Sequence, residues 1–233
     1  MCWKKMQVMV EGWKVMTQNM GNGRFEERME KLQTILEQEK PDVVMLQEPG
    51  EFLENINLRM RADIKREYVV FSKGLNEQER KDKWQRNGGK MEQRIRPSEG
   101  VMMLLKRERA VRVREHSLTT KRAILISIKA NNGSITILAN VYVESGDEEK
   151  RNEVWKEISK EITKIKKSTK ECKIIVAGDW NACTEHDSVF VQAGKTRKVD
   201  VEMRQHLLDI GVEDKISEYP FTVHITRQWV IGV

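Results

Sequence analysis

The ten residues Lys173-Ile174-Ile175-Val176-Ala177-Gly178-Asp179-Trp180-Asn181-Ala182 constrain the fold more than any other stretch of the chain. An apolar run bounded by a glycine suits a central strand covered on both faces. Gly178 predicts a close approach by another backbone or by a ligand. Asp179 and Asn181 then emerge just beyond the carboxyl end of that strand, which is where open α/β sheets place their chemistry.

Three other apolar segments end in the same way. Residues 13 to 18 lead into Asn19, residues 42 to 47 into Glu48, and residues 134 to 139 into Asn140-Val141-Tyr142. Strand ends are often polar simply because they meet water. Four of them, each offering a group able to bind a metal or a phosphate, argue for one converging site. Phosphodiester chemistry needs a hard cation, and Mg²⁺ takes oxygen ligands, usually one or two carboxylates with water and substrate phosphate. Glu48 suits that role, a second carboxylate at Asp179 can hold water, and neutral amide or phenol donors can meet developing charge.

Helices alternate with these strands. Residues 24 to 39 carry Met29, Leu32, Ile35 and Leu36 at helical spacing, with Asn22 or Gly23 near the start and Pro41 past the end. Residues 147 to 168 repeat the pattern through Val154, Trp155, Ile158, Ile162 and Ile165. Residues 122 to 143 read as a hairpin, because Ile124, Ile126 and Ile128 alternate before Asn131-Asn132-Gly133, where the Asn-Gly step tolerates positive φ. A hairpin brings antiparallel pairing, so two mixed sheets packed face to face with helices outside, a four-layer α/β sandwich, is the expected fold. Residues 81 to 96, polar and without period, read as a loop around Gly88-Gly89 in which Trp84 either anchors the chain or stacks on a base.

Charge is concentrated. Between residues 80 and 122 stand fourteen Lys or Arg against five acids, in a chain whose net charge is only +6. That region predicts a polyanion track through Arg107, Arg109, Arg112, Arg114 and Arg122, with Arg112 and Arg114 on one face of a strand by alternation. A nucleic acid is the partner such a track would fit, and no protein partner is inferable. The alternative is an edge strand guarded by its own cations.

At 233 residues with 39% hydrophobic residues and four prolines, residues 1 to 233 read as one domain with one sizeable core. No long apolar segment predicts a membrane span or a signal peptide, so an intracellular, nuclear setting is expected. Cys2, Cys172 and Cys183 show no CxxC spacing and are expected to be reduced thiols. Cys183 with His186 and Asp187 lacks a fourth ligand for zinc.

Taken in order, Gln18-Asn19, Leu46-Gln47-Glu48, Gly100-Val101-Met102, Asn140-Val141-Tyr142 and Gly178-Asp179-Trp180-Asn181-Ala182 resemble the endonuclease/exonuclease/phosphatase family over about residues 13 to 222. Within it they look most like the endonuclease domains of non-LTR (LINE-type) retrotransposons. The resemblance implies a Mg²⁺-dependent DNA endonuclease, with Mn²⁺ as a possible substitute. Glu48 would be the metal carboxylate and Asn19 an auxiliary metal or water ligand. Tyr142 would contact phosphate, Asp179 would activate water and Asn181 would hold the scissile phosphate. Members end in a Ser-Arg-Ile-Asp strand and a Ser-Asp-His element, whereas here Tyr219-Pro220-Phe221-Thr222 runs into a segment with only His224 and the apolar residues 229 to 233. A sandwich truncated at its C-terminus is therefore expected, with part of one sheet edge uncovered. Two other functions fit the same residues: an inactive nucleic-acid-binding remnant, or a phosphatase or phosphodiesterase acting on inositol or sphingolipid headgroups.

Overall fold

The computed structural model describes residues 6–10, 12–21, 24–86, 100–143, 148–169, 171–181, 198–212 and 228–232. Cys2, Cys183, His186, Asp187, Gly88-Gly89, residues 219 to 222 and His224 lie outside the described residues, as do Asn22 and Gly23. Among the described residues, ten strands form two five-stranded mixed sheets. The first holds β1 (Met6–Val10), β2 (Trp13–Asn19), β3 (Val43–Gln47), β4 (Tyr68–Gly74) and β5 (Gly100–Lys106) in the order β1-β2-β3-β5-β4. The second holds β6 (Val113–His116), β7 (Ala123–Lys129), β8 (Ile135–Tyr142), β9 (Cys172–Asp179) and β10 (Gln228–Gly232) in the order β10-β9-β8-β7-β6.

Each sheet contains one parallel pair, β2 with β3 and β8 with β9, and all other pairs are antiparallel. A parallel pair needs a crossover. Here α1 (Phe25–Glu39) joins β2 to β3, and α5 (Glu148–Lys167) joins β8 to β9. Helices α2 (Leu53–Arg59), α3 (Ala62–Glu67) and α4 (Glu77–Arg86) follow β3 and β4, and α6 (Lys198–Asp209) follows β9. The apolar tail forms β10 and pairs antiparallel with β9, Trp229 opposite Gly178.

Strand alternation sorts the core into three layers. Odd positions of β2 and β3 and even positions of β7 and β8 meet between the sheets, where Val15, Met45, Met103, Ile126 and Ile175 are buried. The opposite face of the first sheet takes Phe25, Met29, Leu32 and Leu36 of α1. The opposite face of the second takes Val154, Trp155, Ile158, Ile162 and Ile165, the stripe read from the sequence of α5. Each such side chain contributes roughly 1.5–3 kcal/mol on full burial. At the rim, His116 of β6 bridges Ser127 of β7 at 2.8 Å and Glu161 of α5 at 3.1 Å, and burial lowers its pKa.

Three local expectations are corrected. Residues 81 to 86 are helical, because Asn76 and Glu79 form a reciprocal cap: Glu79 N–H donates to Asn76 Oδ1 at 2.8 Å and Asn76 N–H to Glu79 Oε2 at 3.0 Å. A Glu77–Lys81 pair and a Gln78–Asp82 hydrogen bond then brace a helix with no apolar stripe. The hairpin loop closes with only Gly133 at positive φ (88°), while Asn132 Oδ1 accepts from the Ser134 N–H and hydroxyl. Arg112 precedes β6 at φ 57° instead of lying within it, so alternation does not pair it with Arg114. Among the described residues Cys172 is a free thiol, and no helix is long and apolar enough to cross a membrane.

Candidate active site

The two parallel pairs deliver their carboxyl ends to the same end of the inter-sheet core. Asn19 stands opposite Gln47 at the end of β2 and β3, and Tyr142 opposite Asp179 at the end of β8 and β9. All four continue the inward-facing parity of their strands. Two residues deeper on β8, Asn140 ties the sheets together. Gln47 Nε2 donates to Asn140 Oδ1 at 2.7 Å, and Asn140 Nδ2 donates to Leu46 O at 3.0 Å and Met102 O at 2.9 Å. Gln47 and Asn140 are fully buried. Breaking this bridge would leave polar groups unsatisfied, each at a cost of roughly 1–3 kcal/mol.

Above the bridge, Asn19 joins the carboxylates of both sheets. Its Nδ2 donates to Asp179 Oδ2 at 2.8 Å and to Glu48 Oε1 at 3.3 Å. Its Oδ1 accepts from the Gly21 N–H at 2.8 Å, which fixes the amide orientation. Expected as an auxiliary ligand, Asn19 here presents its donor side to the two acids and spends its oxygen on the backbone.

Glu48 reaches this cluster by leaving the strand. With φ 51° it abandons the alternation of β3, and its N–H donates to Gly100 O at 3.0 Å. Asp179 is 8% exposed and accepts from the Asn181 N–H at 3.1 Å through Oδ1. Asn181 adopts φ 48°, a region asparagine tolerates, and its Nδ2 docks on Val143 O at 2.7 Å. Between them Trp180 is buried and packs edge-on against Trp155 of α5, with ring centroids 5.3 Å apart. The indole pins the strand exit to the helix layer.

The five arginines are not brought together. Because β5 runs antiparallel to β3, Gly100 lies at the site and Lys106 at the opposite end, where its N–H donates to Asp42 O. Arg107 donates there to Lys65 O at 2.8 Å, and Arg109 to Asp42 Oδ1 at 3.0 Å, 5.2 Å above the Trp13 ring. Arg112 and Arg114 flank the same distant region of β6 and β7. Only Arg122 of the five borders the site: its carbonyl accepts the Tyr142 N–H at 2.7 Å and its guanidinium lies 5.9 Å from the Tyr142 ring.

Three residues at the site had no role assigned from the sequence: Gln47, Asn140 and Arg28. Gln47 supplies the cross-sheet bridge. Arg28 of α1, 5% exposed, donates through Nη1 to Glu48 O at 3.0 Å. Its signal was available: an arginine lies one step from Met29 and four from Leu32, on the stripe that meets the sheet.

Comparison with known proteins bears on this geometry. The model of the endonuclease/exonuclease/phosphatase family matches residues 16–209. No curated protein matches the chain. Among solved structures, the AP endonuclease LMAP from Leishmania major superposes with TM-score 0.62 at 16% identity, over 87% of this chain and 68% of that one. The 3' phosphatase NExo from Neisseria, bound to a product DNA hairpin, gives 0.60 at 16% identity, over 89% and 75%. The human Nocturnin catalytic domain with bound sulfate gives 0.59 at 15% identity, over 98% and 85%. At these identities the likeness is one of fold.

Proposed function

From the premise that this chain belongs to the endonuclease/exonuclease/phosphatase family, we propose that it is a Mg²⁺-dependent DNA endonuclease of the non-LTR retrotransposon type, acting in the nucleus. The observation that carries the reading is the convergence of Glu48 and Asp179, one from each sheet, on the single amide of Asn19. The two carboxylates supply oxygen donors, which suit a hard divalent ion completed by water and phosphate.

Glu48, half-buried at the rim, is the residue that would hold Mg²⁺ or Mn²⁺, with Asn19 beside it. The ion, when bound, supplies charge neutralisation at the phosphate. Asp179 orients the attacking water and takes its proton, held in place by Asn19 and the Asn181 N–H. Tyr142 and Asn181 offer neutral donors to the phosphate, and Arg122 adds a fixed positive charge at the edge. Arg107, Arg109, Arg112 and Arg114 would meet DNA only where it runs along the sandwich to its other end.

Two results are expected. Glu48→Gln keeps the shape but removes the charge, so calorimetric Mn²⁺ affinity should fall by more than the roughly 10- to 100-fold that loss of an outer partner costs. An unchanged isotherm moves the metal elsewhere. Arg122→Ala should lower the log–log salt slope of binding to a short duplex by about 0.9, one phosphate's worth, while joint neutralisation of Arg107, Arg112 and Arg114 leaves that slope unchanged. Substrate class is tested by offering duplex DNA in parallel with inositol phosphate and sphingolipid headgroup substrates. Preference for a headgroup would replace this reading by a lipid-directed one.

A further inference from the structure

Arg28 is a charge that the fold has taken out of water, and burial of such a group is costly unless it is hydrogen-bonded. Its Nη1 donates to Glu48 O at 3.0 Å and to Pro49 O at 3.2 Å. Both carbonyls belong to the turn that leaves β3, where Glu48 has φ 51° and Gly50 φ 67°. A non-glycine residue in the left-handed region costs on the order of 1–3 kcal/mol and persists only where its surroundings impose it. Gly50 makes the room, since a Cβ there would lie 2.4 Å from Nη2 and 2.9 Å from Cζ of Arg28. Burial lowers the guanidinium pKa, and the nearby charges of Glu48, Glu27 and Glu51 oppose that shift.

We propose that Arg28 is a positioning residue for the Glu48 carboxylate, clamping the turn at 48–50 from beneath so that Glu48 swings out of the β3 alternation and into the cluster with Asn19 and Asp179. The clamp gives α1 a second task beyond connecting β2 to β3. Its charge also offsets the crowding of two carboxylates on one amide. The inference rests on the reading of Glu48 as a divalent-cation ligand, and it concerns what prepares that ligand before any ion binds.

Hydrogen exchange at the amides of residues 48, 50 and 51 and calorimetric Mn²⁺ titration, on the parent and on Arg28→Met, Arg28→Lys and Gly50→Ala, test it. Arg28→Met should speed exchange in that segment, where the Glu48 N–H is held by Gly100 O, while the strands stay protected. Mn²⁺ affinity should drop about 10- to 100-fold, the usual loss when a group that orients a ligand is removed. Arg28→Lys, which keeps a charged donor, should recover part of both. Gly50→Ala crowds the guanidinium without changing any charge but also strains a backbone at φ 67°, so Arg28→Lys, expected to bind Mn²⁺ more weakly than the parent, decides the matter if Arg28→Met does not fold. Unchanged exchange at these amides and Mn²⁺ affinity within about twofold of a binding parent would overturn the role of Arg28 alone. A parent that binds no Mn²⁺ would instead overturn the metal reading of Glu48, and the role of Arg28 with it.

Discussion

Asp179→Asn is expected to slow DNA hydrolysis by about 10²- to 10⁴-fold, the range supplied by a positioned general base. The substitution keeps the shape of the side chain. One amide oxygen can still accept the Asn181 N–H, now at 3.1 Å from Oδ1, and the buried Trp180 still pins the strand exit, but the new amide nitrogen then faces Asn19 Nδ2, which now donates to Oδ2 at 2.8 Å. The change should therefore appear in the single-turnover rate of the folded variant, with stability lowered by roughly 1–3 kcal/mol through the lost Asn19 hydrogen bond. A variant that retains a tenth or more of the parental rate would remove Asp179 from the chemistry.

Gly178→Ala is expected to damage the fold itself. Gly178 has φ 151°, and a Cβ built there would lie 1.8 Å from Val141 O and 2.7 Å from Val141 C. Those atoms are backbone of β8, the parallel neighbour of β9, and Val141 stands opposite Gly178 in register. A side-chain tip can turn aside, whereas a central strand cannot. Separation of β8 from β9 would also part Tyr142 from Asp179. Destabilisation of at least about 3 kcal/mol, in the upper range for one substitution, should show in urea unfolding. A loss below about 1 kcal/mol would mean that the two strands can separate without penalty.

The residues that were legible in the sequence are those where a local pattern has one physical cause. The apolar runs before Asn19, Glu48, Tyr142 and Asp179 became strands, being too short for a buried helix and suited to a sheet covered on both faces, and the stripe of α5 packed as its period implied. Gly178 was read as a point of close approach, and Val141 is what approaches. Helix α4 was missed because it is polar all round and is held by its Asn76–Glu79 cap and surface pairs, none of which leaves an apolar period.

Long-range geometry accounts for the rest. Residues 107 to 122 are close along the chain, yet the antiparallel course of β5 carries Arg107 and Arg109 away from the site and the course of β6, antiparallel to β7, leads back toward it at Arg122. The Gln47–Asn140 bridge joins residues 93 positions apart, and only packed sheets reveal it. Arg28 became meaningful once the turn above it was known to be left-handed at Glu48.

Nicking of supercoiled plasmid, followed with Mg²⁺, with Mn²⁺ and with excess chelator for the parent and for Asp179→Asn, tests the central claim most directly. The account predicts conversion to the open circle only in the presence of either divalent ion, arrested by the chelator and reduced at least about 100-fold by Asp179→Asn. Conversion that persists in chelator, or that proceeds at the parental rate in Asp179→Asn, would contradict it, as would intact plasmid after prolonged incubation of the folded parent with both ions.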